Sequence, residues 1–173
     1  MVQEEWGLLM AAEPGEAIEW LSDRAGRDAR EVLADEHVRW QLYKESLRDA
    51  GGRAVVLRAL EDDDNSPLVS ATVVRAIELV PEKERAAWVE VVPAGRQRDF
   101  AARRAIEVGI LERLVADDDT KLGGDDTRHW SQWLQLRVAE DANSAEVLRG
   151  LAGSGATKRI RNLAGQRLKG SGR

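Results

Sequence analysis

The sequence predicts an all-α protein, a right-handed α-solenoid of about five helical hairpins, and three observations predict it. A bulky anchor residue recurs as Val38, Val69, Phe100, Trp130 and Ile160, at spacings of 31, 31, 30 and 30. Four residues beyond each anchor lie Leu42, Val73, Arg104, Leu134 and Ala164, and eight beyond lie Ser46, Ile77, Val108, Val138 and Leu168. That i, i+4, i+8 stripe is one buried face of a helix, with Ser46 and Arg104 as its polar exceptions. No stretch alternates apolar and polar residues with the period of two that a strand requires.

The helices preceding the anchors carry apolar pairs three residues apart: Ile18 and Leu21, Leu57 and Leu60, Trp88 and Val91, Leu111 and Leu114, Leu148 and Leu151. From pair to anchor is 17, 9, 9, 16 and 9 residues. Repeats two, three and five therefore share one turn length, while repeats one and four carry insertions, Ser22 to Glu36 and Asp117 to Thr127. A hairpin that cannot bury its apolar face alone must stack on its copies, and insertions on one edge of such a stack are often where it binds.

In order along the chain, Pro14 to Leu21 is the first helix, with proline early where no amide donor is needed. Asp28 is an N-cap from which helical character runs to Leu47 and a stop at Gly51-Gly52. Arg53 to Leu60 is short, with Leu57 and Leu60 inward. Ser66 is expected to cap the helix Leu68 to Val80, with Pro67 just inside it. Glu82 to Val92 ends at Pro93-Ala94-Gly95. Residues 96 to 108 form a helix that Gly109 separates from Ile110 to Ala116. Arg128 to Glu140, Ser144 to Ala152 and Thr157 to Leu168 complete the set. Residues 1–13 read as an N-terminal segment, 14–168 as the repeat domain and 169–173 as a flexible tail.

Two stretches bring the chain near a known family. Glu146-Val147-Leu148-Arg149-Gly150-Leu151-Ala152, followed by Lys158-Arg159-Ile160-Arg161-Asn162-Leu163-Ala164, resembles HEAT repeats and the related leucine-rich-repeat variant, as does Val56-Leu57-Arg58-Ala59-Leu60-Glu61-Asp62-Asp63-Asp64. The resemblance implies a HEAT-like solenoid over residues 14–168. Its period is shorter than a typical HEAT unit. The arginine that often follows the anchor stands as Arg39 and Arg161 but is replaced by Ser70, Ala101 and Ser131.

The 173 residues contain no cysteine, which excludes disulfides and thiolate metal sites and fits a reducing, cytoplasmic setting. The start of the chain has Glu4 and Glu5 before a short apolar run, without the basic region of a signal peptide or the length of a membrane span. The excess of arginine over lysine suggests a GC-rich bacterial source. Net charge is −5. It is uneven: the last 18 residues hold six basic groups and no acid.

No catalytic, metal or nucleotide motif emerges, and neither a cofactor nor a catalytic residue is expected. His37 and His129 occupy equivalent positions three layers apart, roughly 25–30 Å at the usual spacing of packed helices, too far to share a metal. The run Asp117-Asp118-Asp119 with Asp125-Asp126 lacks calcium-loop spacing, because Lys121 stands where a ligand is needed. The basic second helices are the main candidate surface, through Arg96, Arg98, Arg103, Arg104, Lys158, Arg159, Arg161 and Arg167. Trp40, two past its anchor and flanked by Arg39 and Tyr43, is a candidate binding anchor, since these residue types dominate interface energetics. Trp130 and Trp133 are expected in the core, and Trp6 and Trp20 over the N-terminal end.

The leading expectation is a non-enzymatic scaffold that binds another protein on its concave face, without membrane association and of undetermined oligomeric state. The alternative is a nucleic-acid-binding or DNA-repair protein using the basic second helices, against which the acidic pI near 5.2 weighs. A third reading is an enzyme using acids of the inserted loops.

Overall fold

The computed structural model describes residues 14–116 and 126–170, and among these every regular element is helical. The elements are α1 (Pro14–Ala25), α2 (Ala29–Ala34), α3 (Glu36–Ser46), α4 (Ala50–Glu61), α5 (Ser66–Ile77), a 3-10 turn (Glu82–Glu84), α6 (Arg85–Glu90), α7 (Arg96–Ala116), a second 3-10 turn (Asp126–His129), α8 (Gln132–Asp141), α9 (Ala145–Ser154) and α10 (Lys158–Gly170). The segment 1–13, with Trp6, and most of the 117–127 insertion lie outside the described residues.

Local chemistry corrects five boundaries. The expected helix from Asp28 to Leu47 is two helices, because Asp35 ends one and starts the next. Its backbone N–H donates to the Glu31 carbonyl while its carboxylate accepts from the His37 and Val38 amides at 2.8 and 3.2 Å. Gly51-Gly52 does not stop a helix but lies in the first turn of α4, capped by the Asp49 carboxylate, which accepts from the Gly52 amide at 2.9 Å. A Cβ at Gly52 would stand 2.0 Å from the Ser46 carbonyl oxygen, so glycine is required by close approach. Asn65, rather than Ser66, caps α5, accepting from the Leu68 amide at 3.0 Å. Ser66 is helical, and its hydroxyl donates to Gln97 Oε1 at 2.6 Å.

Gly109 does not divide α7, which runs unbroken for 21 residues. One internal glycine costs a helix only about 1 kcal/mol relative to alanine. Burial of Ala101, Val108 and Leu114 along the same helix outweighs that. The helix expected from Arg128 starts instead at Gln132, behind the N-cap Ser131.

The chain divides into two compact units at Ala105 and Ile106, inside α7. In the first unit α1 packs against α4 and α3 against α5, with α2 lying on α1 and α3, and α5 touching α6. Leu21, Leu42, Leu47, Leu60, Val73, Ile77 and Trp88 are fully buried there. Each such side chain contributes roughly 1.5–3 kcal/mol relative to exposure. In the second unit α9 packs against α10, and α8 touches both. Its core joins Leu114, Leu134, Val138, Leu148, Leu151, Ile160 and Ala164, with Trp130 and Trp133 only partly buried against it.

The residues four past each anchor are all buried, Arg104 included. Phe100 departs from the anchor pattern at 48% exposure; the Arg104 guanidinium lies 5.4 Å from the centre of its ring. Trp20 is half-buried in the first unit under the Arg24 guanidinium, 5.2 Å from its centre.

Candidate binding groove of the first unit

Helices α3 and α5 lie side by side, and residues spaced by one turn on each look onto the seam between them. On α3 and its C-terminal extension these are His37, Trp40, Lys44 and Arg48; on α5 and its extension they are Pro67, Ala71, Arg75 and Leu79. Two clefts follow one another along this seam. The first, about 290 Å³, is lined by Glu36, His37, Trp40, Asn65, Pro67, Leu68 and Ala71. The second, about 370 Å³, is lined by Lys44, Leu47, Arg48, Arg53, Arg75 and Leu79. Both are open and sit near the lower limit for small-molecule pockets, dimensions that suit side chains of a larger partner.

The chemistry changes along the groove. Its first end is apolar, with the half-buried Trp40 beside Pro67 and Ala71. One rim there is pinned: Asn65 caps α5 with its oxygen and donates from Nδ2 to Glu36 Oε2 at 2.7 Å. Its other end is cationic, and among the described residues no carboxylate lines it. Lys44 and Arg48 are exposed and have no ion-pair partner among the described residues. Arg75 is 3.2 Å from Glu78 with its side chain still 46% exposed. Arg53 donates through Nη1 to the Leu47 carbonyl at 3.4 Å, while its Nε is buried without a partner.

The other residues singled out from the sequence have different surroundings. Tyr43 is fully buried and donates its hydroxyl to Asp63 Oδ2 at 3.1 Å. Burial, reinforced by the Asp63 charge, pushes the phenol far above its ordinary pKa despite the opposing influence of Arg39. Arg39 turns inward, 3.0 Å from the same carboxylate, and donates to the Leu33 carbonyl at 2.9 Å. Of the trio Arg39, Trp40 and Tyr43, only Trp40 faces the groove.

Several basic candidates serve turns. Arg98 donates to the carbonyls of Val92 and Glu90 at 2.6 and 2.9 Å, and Arg161 to that of Gly155 at 2.6 Å. With Arg39 and Arg53, they form a recurring bond from an early helical arginine to the carbonyl six residues before it. Arg104 is buried against Glu78 Oε1 at 3.1 Å. Arg167 donates to the Glu140 carbonyl and, at 3.3 Å, to Asn143 Oδ1. Arg159 stays largely exposed, 3.8 Å from Glu140. Arg96, Arg103 and Lys158 are exposed. The first unit holds Arg96, Arg98, Arg103 and Arg104; the second holds Lys158, Arg159, Arg161 and Arg167.

Lys44, Arg48 and Arg75 were not among the residues picked from the sequence, although a signal for them exists. Counted from the anchors Val38 and Val69, they stand at positions +6, +10 and +6, in line with Trp40 and Ala71 at +2. Following that second stripe beside the buried one would have found them. No protein-family model, curated protein or solved structure shows a significant match to this chain.

Proposed function

We propose that the chain is a HEAT-like α-solenoid acting as a non-enzymatic scaffold, and that it captures a protein partner on the face formed by its second helices. The pairing of α1 with α4 and of α3 with α5 supports the solenoid, since first helix on first helix and second on second is the layering such a stack needs. The unbroken α7 merges the end of the third repeat with the start of the fourth, so the fourth hairpin is the irregular one.

The observation that carries the binding role is the placement of Trp40. It lies half-buried in an open cleft lined by Pro67, Leu68 and Ala71, ready to add contact area at little further conformational cost. A groove of this kind offers a binding surface.

The test compares proteins captured from the source cells by the wild type and by Trp40→Ala, with nuclease present and with folding checked by circular dichroism. Capture should fall at least tenfold in the variant; an unchanged set of partners would remove this face from the function. Titration with duplex DNA at low ionic strength addresses the nucleic-acid alternative, because phosphate contacts are strongest there. Tight, steeply salt-dependent binding would reverse the ranking.

A further inference from the structure

We infer that the groove between α3 and α5 recognises an acidic, extended peptide segment carrying one bulky apolar side chain, a proposal that rests on the scaffold reading and names its partner's chemistry. The argument is charge complementarity arranged along the groove. Trp40, Pro67 and Ala71 form the apolar end, and Lys44, Arg48 and Arg75 form the cationic end, with Arg53 lining the same cleft as these three. Among the described residues no carboxylate lines the cleft that holds these cations, and of the three only Arg75 is ion-paired, with Glu78 at 3.2 Å.

Helical rise sets the ruler. From Trp40 to Lys44, and from Ala71 to Arg75, is one turn, about 6 Å; Arg48 follows two residues past the end of α3, just beyond its C-cap Leu47. An extended peptide advances about 3.3 Å per residue and turns alternate side chains to one face. An apolar residue seated by Trp40 therefore brings the side chains two and four positions away, on the same face, to about 6.6 and 13 Å. The first is the rise from Trp40 to Lys44 on α3 and from Ala71 to Arg75 on α5, and the second carries the peptide past the end of α3 on the side of Arg48. The preferred segment reads apolar, any, acidic, any, acidic, in either chain direction.

Nucleic acid fits this end less well. A duplex binder typically neutralises some 6–10 phosphates, and three clustered cations beside an apolar cleft cannot do so. Aspartate or glutamate supplies a compact acceptor for each exposed cation, while the neighbouring apolar residue fills the Trp40 cleft.

The test pans a displayed library of random nine-residue peptides against the full chain and against two variants, Lys44→Glu with Arg75→Glu, and Trp40→Ala. Thermal melts establish that each variant is folded. Wild type should enrich peptides with Asp or Glu two and four residues from a bulky apolar residue. The charge-reversed pair should lose that set at least tenfold and enrich Lys or Arg at the same spacing, a swap that mere structural damage cannot produce. Enrichment of peptides without acids, retention of the same set by the charge-reversed variant, enrichment of none, or displacement of the peptides by a DNA duplex would each overturn the proposal. If Trp40→Ala still abolishes partner capture in cell extract, only the acidic chemistry has failed; if capture is also unchanged, the scaffold reading has failed with it.

Discussion

Tyr43 and Asp63, twenty residues apart, are joined by a 3.1 Å hydrogen bond in which the buried phenol donates to the Asp63 carboxylate. The bond ties α3 to the turn between α4 and α5, the same turn in which Asn65 caps α5 and sets one rim of the groove. A hydrogen bond to a charged acceptor contributes about 1.5–3 kcal/mol. Tyr43→Phe should lower unfolding free energy by about that much in urea titration. Asp63→Ala should cost more, because it leaves both Tyr43 and the inward-turned Arg39 unmatched.

The same pair gives an alkaline signature. The folded-state pKa of Tyr43 is raised above its unfolded value of 10.0, so the folded state holds the proton more tightly. This contribution is fully present below pH 10 and is lost as pH climbs from there toward the folded value. Melting temperature against pH should fall more steeply above pH 10 in wild type than in Tyr43→Phe. Parallel curves would show that Tyr43 is not the responsible group.

Asp49 gives the opposite sign. Its carboxyl is held below its ordinary pKa, chiefly by the Gly52 amide and further by Arg24, whose Nη2 is 3.0 Å away. The stabilisation is present above the unfolded value of 3.8 and is lost as pH falls through the lower folded value. Asp49→Ala should cost about 1 kcal/mol at neutral pH, as loss of an N-cap does. The deficit should shrink on acidification below pH 4, which melts at graded pH would record.

Two glycines should respond in opposite directions. Gly52→Ala forces a Cβ against the Ser46 backbone carbonyl and should cost about 2–3 kcal/mol, because backbone on both sides must shift. Gly153→Ala in α9 meets open space and should stabilise by about 0.5–1 kcal/mol. Chemical denaturation of the two variants side by side checks the contrast.

In the second unit, Gln135 is buried and serves three backbone groups. Its Nε2 donates to the Thr127 and Trp130 carbonyls, each at 3.0 Å, and its Oε1 accepts from the Ala156 amide at 2.8 Å. Gln135→Leu keeps the volume but abandons all three and should cost about 2–4 kcal/mol. Hydrogen exchange at Ala156 should quicken more in this variant than exchange within α9.

The helical class and the buried stripe were legible in the sequence because both are local and periodic. Leu42, Val73, Leu134 and Ala164 are buried where a 3.6-residue period puts them. That Trp40 lies off the buried stripe was legible for the same reason. Glycine roles were not: Gly52 is required by a carbonyl from the preceding helix, and Gly109 is carried by the burial of its neighbours. Nor does a list of arginines distinguish those that bond preceding carbonyls, such as Arg39, Arg98 and Arg161, from those left facing outward, such as Arg48. Periodicity determines which face of a helix is apolar. Which helix that face meets, and so which cations remain available along the groove, was decided only by tertiary packing, because backbone acceptors and neighbouring carboxylates are brought to each side chain from elsewhere in the chain.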